Sequence, residues 1–174
     1  MVVMVSRSGR HLQRYNKQGR RLVVGCIPYR YKTGDDQVEV LVISSQRQGK
    51  GMLFPKGGWE ADESIKDAAE RESFEEAGVT GIVQRKLGKW TFKSKRHETD
   101  YEGYMFPLLV KQQLDLWPEI EFRQRIWMSI SEARQACQHV WMQEALDKLE
   151  RRLETRPKTD DRDLNISRVG QICI

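Results

Sequence analysis

The segment Phe54-Pro-Lys-Gly-Gly-Trp-Glu-Ala-Asp-Glu-Ser-Ile-Lys-Asp-Ala-Ala-Glu-Arg-Glu-Ser-Phe-Glu-Glu-Ala-Gly-Val79 decides how the rest of the chain is read. It predicts a glycine-rich turn, a helix capped at its start by Ser64 or Asp62, and a left-handed glycine cap at Gly78. Residues three and four apart are neighbours on a helix, so Glu72 faces both Glu75 and Glu76. Three crowded carboxylates repel one another and weaken an isolated helix, a cost that makes sense if a divalent cation sits among them. Oxygen donors with no nearby cysteine suit Mg²⁺, with Mn²⁺ as the alternative, better than zinc. The bland alternative is a solvated acidic helix face.

Spacing favours the cation. From Gly57, Glu63 follows after five intervening residues and Arg71-Glu72 after seven more, and then come Glu75-Glu76 and Gly78-Val79. This is similar to the Nudix box, G-x5-E-x7-R-E-U-x-E-E-x-G-U, where U is apolar. The one departure is Ser73 at an aliphatic position, which bears on packing more than on chemistry. The phrases Val24-Gly-Cys-Ile-Pro-Tyr29, Val40-Leu-Val-Ile-Ser-Ser45, Phe54-Pro-Lys-Gly-Gly-Trp59 and Arg125-Ile-Trp-Met128 extend the likeness. They resemble plant Nudix hydrolases related to diphosphoinositol polyphosphate phosphohydrolases.

That resemblance implies an α/β fold, an α/β/α sandwich around a mixed sheet, covering about residues 18–154. It also implies Mg²⁺-dependent hydrolysis of diphosphate bonds in diphosphoinositol polyphosphates, with dinucleoside polyphosphates taken by some members. Carried over by the motif, Gly57 (through its carbonyl), Glu72, Glu75 and Glu76 are the expected metal site. Glu75 is a further ligand or holds the attacking water. Glu63 and Arg71 complete the catalytic set, Arg71 by making a bidentate pair with Glu63 that ties loop to helix. Which glutamate is the base stays open.

Charge supports an anionic ligand independently. The net charge is +5 although Glu60, Asp62, Glu63, Asp67, Glu70, Glu72, Glu75 and Glu76 concentrate acid in one segment, so the rest is strongly basic. A metal-loading patch beside a cationic surface suits a small polyphosphate, while nucleic acid stays open as a less favoured partner. Candidate phosphate-binding cations are Lys56 in the glycine turn and Lys93, Lys95, Arg96 and His97 in a loop. Arg21, Arg30, Arg123 and Arg125, on or beside strands, join them. Trp90, Phe92, Tyr101, Tyr104 and Trp117 fall mostly in strand patterns and are assigned to the core over base stacking. Two rival readings remain. One is a nucleotide-type hydrolase for dinucleoside polyphosphates, ADP-ribose or capped RNA. The other is a non-catalytic module for anionic ligands or RNA, which would not need the intact Arg71-Glu72 and Glu75-Glu76.

The remaining sequence frames one compact domain, flanked by an arm and a tail, in a chain of 174 residues. No apolar run approaches the ~18–20 residues of a membrane span. Cys26, Cys137 and Cys173 are odd in number and scattered, which argues for a reducing compartment and a cytoplasmic protein. Residues 1–17 form a basic arm with no acid before Asp35. Its alternative reading is a mitochondrial transit peptide, and Leu12 and Tyr15 are its expected anchors. Strands are expected at 21–31, 38–45, 82–90, 104–110 and 126–130. Helices are expected from Ser129 or Ser131 through Cys137 and over 140–153, and residues 155–174 form a polar, disordered tail. A monomer is expected.

Overall fold

Leu22 through Tyr29 are buried without interruption. Successive side chains on a strand point to opposite faces, so such a strand needs cover on both sides. The computed structural model, which describes residues 5–46, 51–93 and 99–155, provides it. This strand, β1 (Arg21–Tyr31), lies inside an eight-stranded sheet. The others are β2 (Val38–Ser44), β3 (Met52–Leu53), β4 (Lys56–Gly58), β5 (Val79–Val83), β6 (Gly88–Lys93), β7 (Asp100–Gln113) and β8 (Arg125–Ser129). The main order is β3-β2-β1-β7-β5, with β4 on β1, β6 on β7 and β8 on β2. β1 and β7 run parallel, whereas the other pairs are antiparallel, so the sheet is mixed.

Helix α1 (Ile65–Ala77) packs on β1, β4 and β5. Ser64 caps it through a reciprocal box with Asp67, an arrangement worth about 1 kcal/mol. Gly78 ends it at φ 64°, a left-handed geometry that favours glycine. Ser73, the departure from the motif, is fully buried and donates its hydroxyl to Ala69 O at 2.8 Å. A satisfied hydroxyl can sit against the sheet at little cost. Helix α2 (Ile130–Ala136) packs on β2, β3 and β8, and α3 (Val140–Glu154) against β6. Trp141, Met142, Ala145, Leu146 and Leu149 form the buried stripe of α3.

Two expectations change. The strand expected over 82–90 is two strands, because the chain turns after Val83: Gln84 N–H bonds Pro107 O, Leu87 N–H bonds Met105 O, and the Tyr29 hydroxyl holds Gln84 Oε1 at 2.7 Å. The arm is anchored by backbone and not by ring burial. Tyr15 is 52% exposed but bridges to Arg21, Gln13 bridges to Glu60, and Ala61 N–H donates to Leu12 O at 2.7 Å. The tail after Thr155 lies outside the described residues. No described helix is long and apolar enough to cross a membrane.

Candidate active site

One turn of α1 and the strand β4 face each other across a cleft of about 290 Å³. Glu72, Glu75 and Glu76 all line it, and all three are buried. Helical spacing puts them on this side, and β4, pinned to β1 at Val24–Gly57, brings backbone against them. A Cβ on Gly57 would collide with the Glu72 carboxylate. Only glycine therefore lets this carboxylate lie against the strand.

Arg71 organises the near side. It grips Glu63 with two hydrogen bonds, of 2.9 and 2.7 Å, and donates to Glu72 Oε1 at 2.7 Å and Gly58 O at 2.9 Å. Its Nη1 also lies 3.5 Å from Glu75 Oε2. The fork therefore ties the loop before α1 to the helix and to β4 together. Glu76 is held from the far side: Lys56 N–H donates to Oε2 at 2.9 Å, and the Arg123 guanidinium pairs with Oε1.

Burial, reinforced by the charge of Glu76, pushes the Glu72 carboxyl up to about 8. Burial likewise raises Glu75 and Glu76, with the charge of Glu119 adding to both. Carboxylates in this state favour any partner that brings positive charge. Among the described residues, no three acidic, histidine or cysteine side chains are gathered into a metal cage. The guanidiniums of Arg71 and Arg123 divide the glutamates between them. The donor set is nevertheless all oxygen, and the glycine cradle beside Glu72 admits a carboxylate against backbone. Both features fit a hard divalent cation.

The expected cations separate into three groups. Arg21 and Lys56 line the cleft, Arg21 being hydrogen-bonded to Gln13 Oε1 at 2.7 Å and lying 5.5 Å from the Tyr101 ring centre. Arg30, Lys93, Arg123 and Arg125 do not line it. Arg30 pairs with Glu39 at 2.9 Å and stacks on Trp127, and Lys93 is exposed at the end of β6. Arg123 is a correction in kind: it is only 8% exposed, and its charge is consumed by Glu76 and Glu119. Arg125 is also turned away, covering Trp117 at 3.9 Å and donating to the carbonyls of Ala77, Gly78 and Leu114. Lys95, Arg96 and His97 lie outside the described residues.

Among the residues lining this cleft, sequence reasoning gave no site role to Arg7 or Glu119 and favoured the core for Phe92 and Tyr101. Glu119 accepts from Ser6, Gln46 and Arg123. Its only sequence signal is the i,i+4 spacing to Arg123. Phe92 and Tyr101 pack edge to face, 5.7 Å apart, on neighbouring strands. Core packing, the favoured role for these aromatics, therefore does not account fully for these two. Trp117 is buried, Trp90 packs on Trp141 and Tyr104 on Trp59, but Phe92, stacked on Trp141, and Tyr101 also reach the cleft wall.

Comparison with known proteins agrees with this fold. The NUDIX domain family matches residues 19–149. "Nudix hydrolase 21, chloroplastic" of Arabidopsis thaliana is 63% identical over 148 residues, covering 84% of this chain and 75% of its own. "Nudix hydrolase 18, mitochondrial" of the same plant is 60% identical over 172 residues, covering 94% and 97%. "Diphosphoinositol polyphosphate phosphohydrolase 2" of Mus musculus is 32% identical over 126 residues, covering 71% and 66%. Among solved structures, a C. elegans Ap4A hydrolase binary complex superposes with a TM-score of 0.61 at 20% identity, covering 76% of this chain and 97% of the other. The NUDIX domain of Shewanella oneidensis NrtR with ADP ribose gives 0.63 at 17% identity, covering 80% and 94%. At those identities the superpositions speak for the fold. With the glycines and charged residues of the box in place around α1 and the family matched across most of the chain's length, this chain belongs to the Nudix hydrolases, enzymes that act on small-molecule diphosphate substrates and generally need a divalent metal.

Proposed function

We propose that the protein hydrolyses the diphosphate bond of diphosphoinositol polyphosphates with Mg²⁺, Mn²⁺ being able to substitute. The observation that carries this reading is the composition of the cleft: three buried glutamates on α1 and the cations Arg21 and Lys56 line the same space. A ligand bearing several phosphates satisfies both sides at once, with its charge shared between ion and guanidinium. The likeness to the mouse diphosphoinositol enzyme supports the inositol ring.

Glu72 and Glu76 would hold the ion, with the Gly57 carbonyl beside them and Glu75 as a further ligand or the group that holds the attacking water. When bound, the ion polarises phosphoryl oxygens, acidifies water and offsets charge in the transition state. Arg71 keeps Glu63 and Glu72 in register, and Arg123 balances Glu76. Arg21 and Lys56 draw the phosphates in and orient them, helped by the loop carrying Lys95, Arg96 and His97. Water adds to the terminal phosphorus, the bridging P–O bond breaks, and orthophosphate leaves while the ring phosphate remains.

A nucleotide substrate is the second reading, favoured by Phe92 and Tyr101 at the cleft wall, where a base could stack. The test places an inositol pyrophosphate and a diadenosine polyphosphate in one tube at equal concentration and moderate salt, with both products resolved. The inositol compound should disappear first, with the higher kcat/KM. If the dinucleotide disappears first by about an order of magnitude, the nucleotide reading replaces it. The protein is expected to act as a cytoplasmic monomer. The organellar names of two relatives keep mitochondria and chloroplasts as the alternative, decided by imaging a C-terminal fluorescent fusion.

A further inference from the structure

The arm before β1 is stitched to the acidic side of the cleft at three points. Ser6 Oγ donates to Glu119 Oε1 at 3.2 Å, and the backbone N–H of Arg7 donates to Glu75 Oε1 at 3.1 Å. The Arg7 guanidinium pairs with Glu60 and, at 3.1 Å, with Asp62, both on the loop that precedes α1. Arg7 itself lines the cleft.

From this we infer that Arg7 is a positioning residue for Glu75, working through its backbone. Glu75 has one oxygen 3.5 Å from Arg71, a weak hold, and the Arg7 N–H secures the other. Together they fix the plane of the carboxylate, whose terminal torsion is otherwise broad. The side chain of Arg7 is the anchor that keeps the N–H in place: its ion pairs clamp the arm to the loop Arg71 already ties to the helix. A main-chain donor leaves no trace in a reading of side-chain types, which is why the arm registers in sequence only as basic. The inference rests on Glu75 serving the ion or the attacking water.

The test separates backbone from side chain. Arg7→Pro deletes the N–H, whereas Arg7→Ala keeps it and removes the ion pairs. Each full-length variant is assayed on the best substrate of the wild-type protein, and Mn²⁺ binding to the free protein is followed by electron paramagnetic resonance. Because residue 7 lies outside the sheet, both variants should melt within a few degrees of wild type. Arg7→Pro should lower kcat about tenfold or more, in line with the cost of misplacing a reacting group, with little change in KM. It should also weaken Mn²⁺ binding. Arg7→Ala should show a smaller loss of both. The inference is overturned if the two variants have the same kcat, if Arg7→Pro matches wild type, or if it is faster, which would make the arm an obstruction. A wild-type protein that turns over substrate and binds Mn²⁺ while Arg7→Pro does the same sinks the arm's role alone. A wild-type protein that binds no Mn²⁺ sinks the metal-site reading along with it.

Discussion

Replacing Arg123 by methionine probes the buried charge balance behind the site. Arg123 and Glu76 are 8% and 7% exposed, and the pair spans 47 residues of chain. Removing one partner of such a pair strands the other charge away from water, a change that costs roughly 3–5 kcal/mol. Glu76 keeps one further donor, Lys56 N–H at 2.9 Å, and Glu119 keeps Ser6 and Gln46. The cost should therefore fall at the low end, about 3 kcal/mol. For a domain of this size, each kcal/mol lowers Tm by roughly 2–4 °C, so the variant should melt about 6–12 °C below wild type. The assay is thermal unfolding followed by circular dichroism at neutral pH in chelator-treated buffer. The double variant Arg123→Met/Glu76→Gln removes the stranded charge and should recover at least half of the loss. On the proposed reading, saturating Mg²⁺ also narrows the gap for Arg123→Met, because the cation balances the same carboxylate. A single-variant shift below about 2 °C, or a double variant no more stable than the single, would refute the reasoning.

Other expectations are more local. Glu76→Gln should fold yet turn over about 10²-fold more slowly, the usual size of a lost electrostatic contribution; steady-state activity within a few-fold of wild type would remove Glu76 from the metal site. Replacing Lys95 and Arg96 together by alanine should cut kcat/KM more for an inositol pyrophosphate than for ADP-ribose, with the difference shrinking as salt is raised. Equal losses would assign the loop a structural role. The Tyr104 hydroxyl, aided by Asn16 and Lys89, holds the Glu102 carboxyl below the usual range. Its contribution is therefore present above the unfolded carboxylate value and is lost as pH falls through the lower folded one. Urea midpoints measured from pH 7 down to pH 3 should fall less steeply for Glu102→Gln than for wild type, and parallel curves would count against the interaction.

The centre of this protein was legible because its spacing is dictated by contact. Gly57, Glu63, Arg71, Glu72 and Glu76 meet through one turn and one helix, so their offsets are constrained by local geometry. The capping residues Ser64, Gly78 and Ser129 were readable for the same reason. Long-range pairing was not readable. Arg123 and Arg125 look like surface cations in sequence, and only the folded sheet turns one toward Glu76 and lays the other over Trp117. Alternation within β6 and β7 shows that aromatics are present but not which of them reaches a cleft, so for Phe92 and Tyr101 the sequence favours core packing over base stacking without separating the two. The break between β5 and β6 depends on partners in β1 and β7.

The central claim is that buried glutamates of α1, loaded with a divalent cation, direct water onto the terminal phosphorus of an inositol pyrophosphate. It is tested most directly by a single-turnover reaction in ¹⁸O-labelled water with Mg²⁺, repeated with chelator and with Glu72→Gln, and read by mass spectrometry of both products. The account predicts label in the released orthophosphate alone, with no turnover in chelator and at least a 10²-fold slower reaction for the variant. Label on the inositol product, or unchanged turnover without a divalent cation, would contradict it.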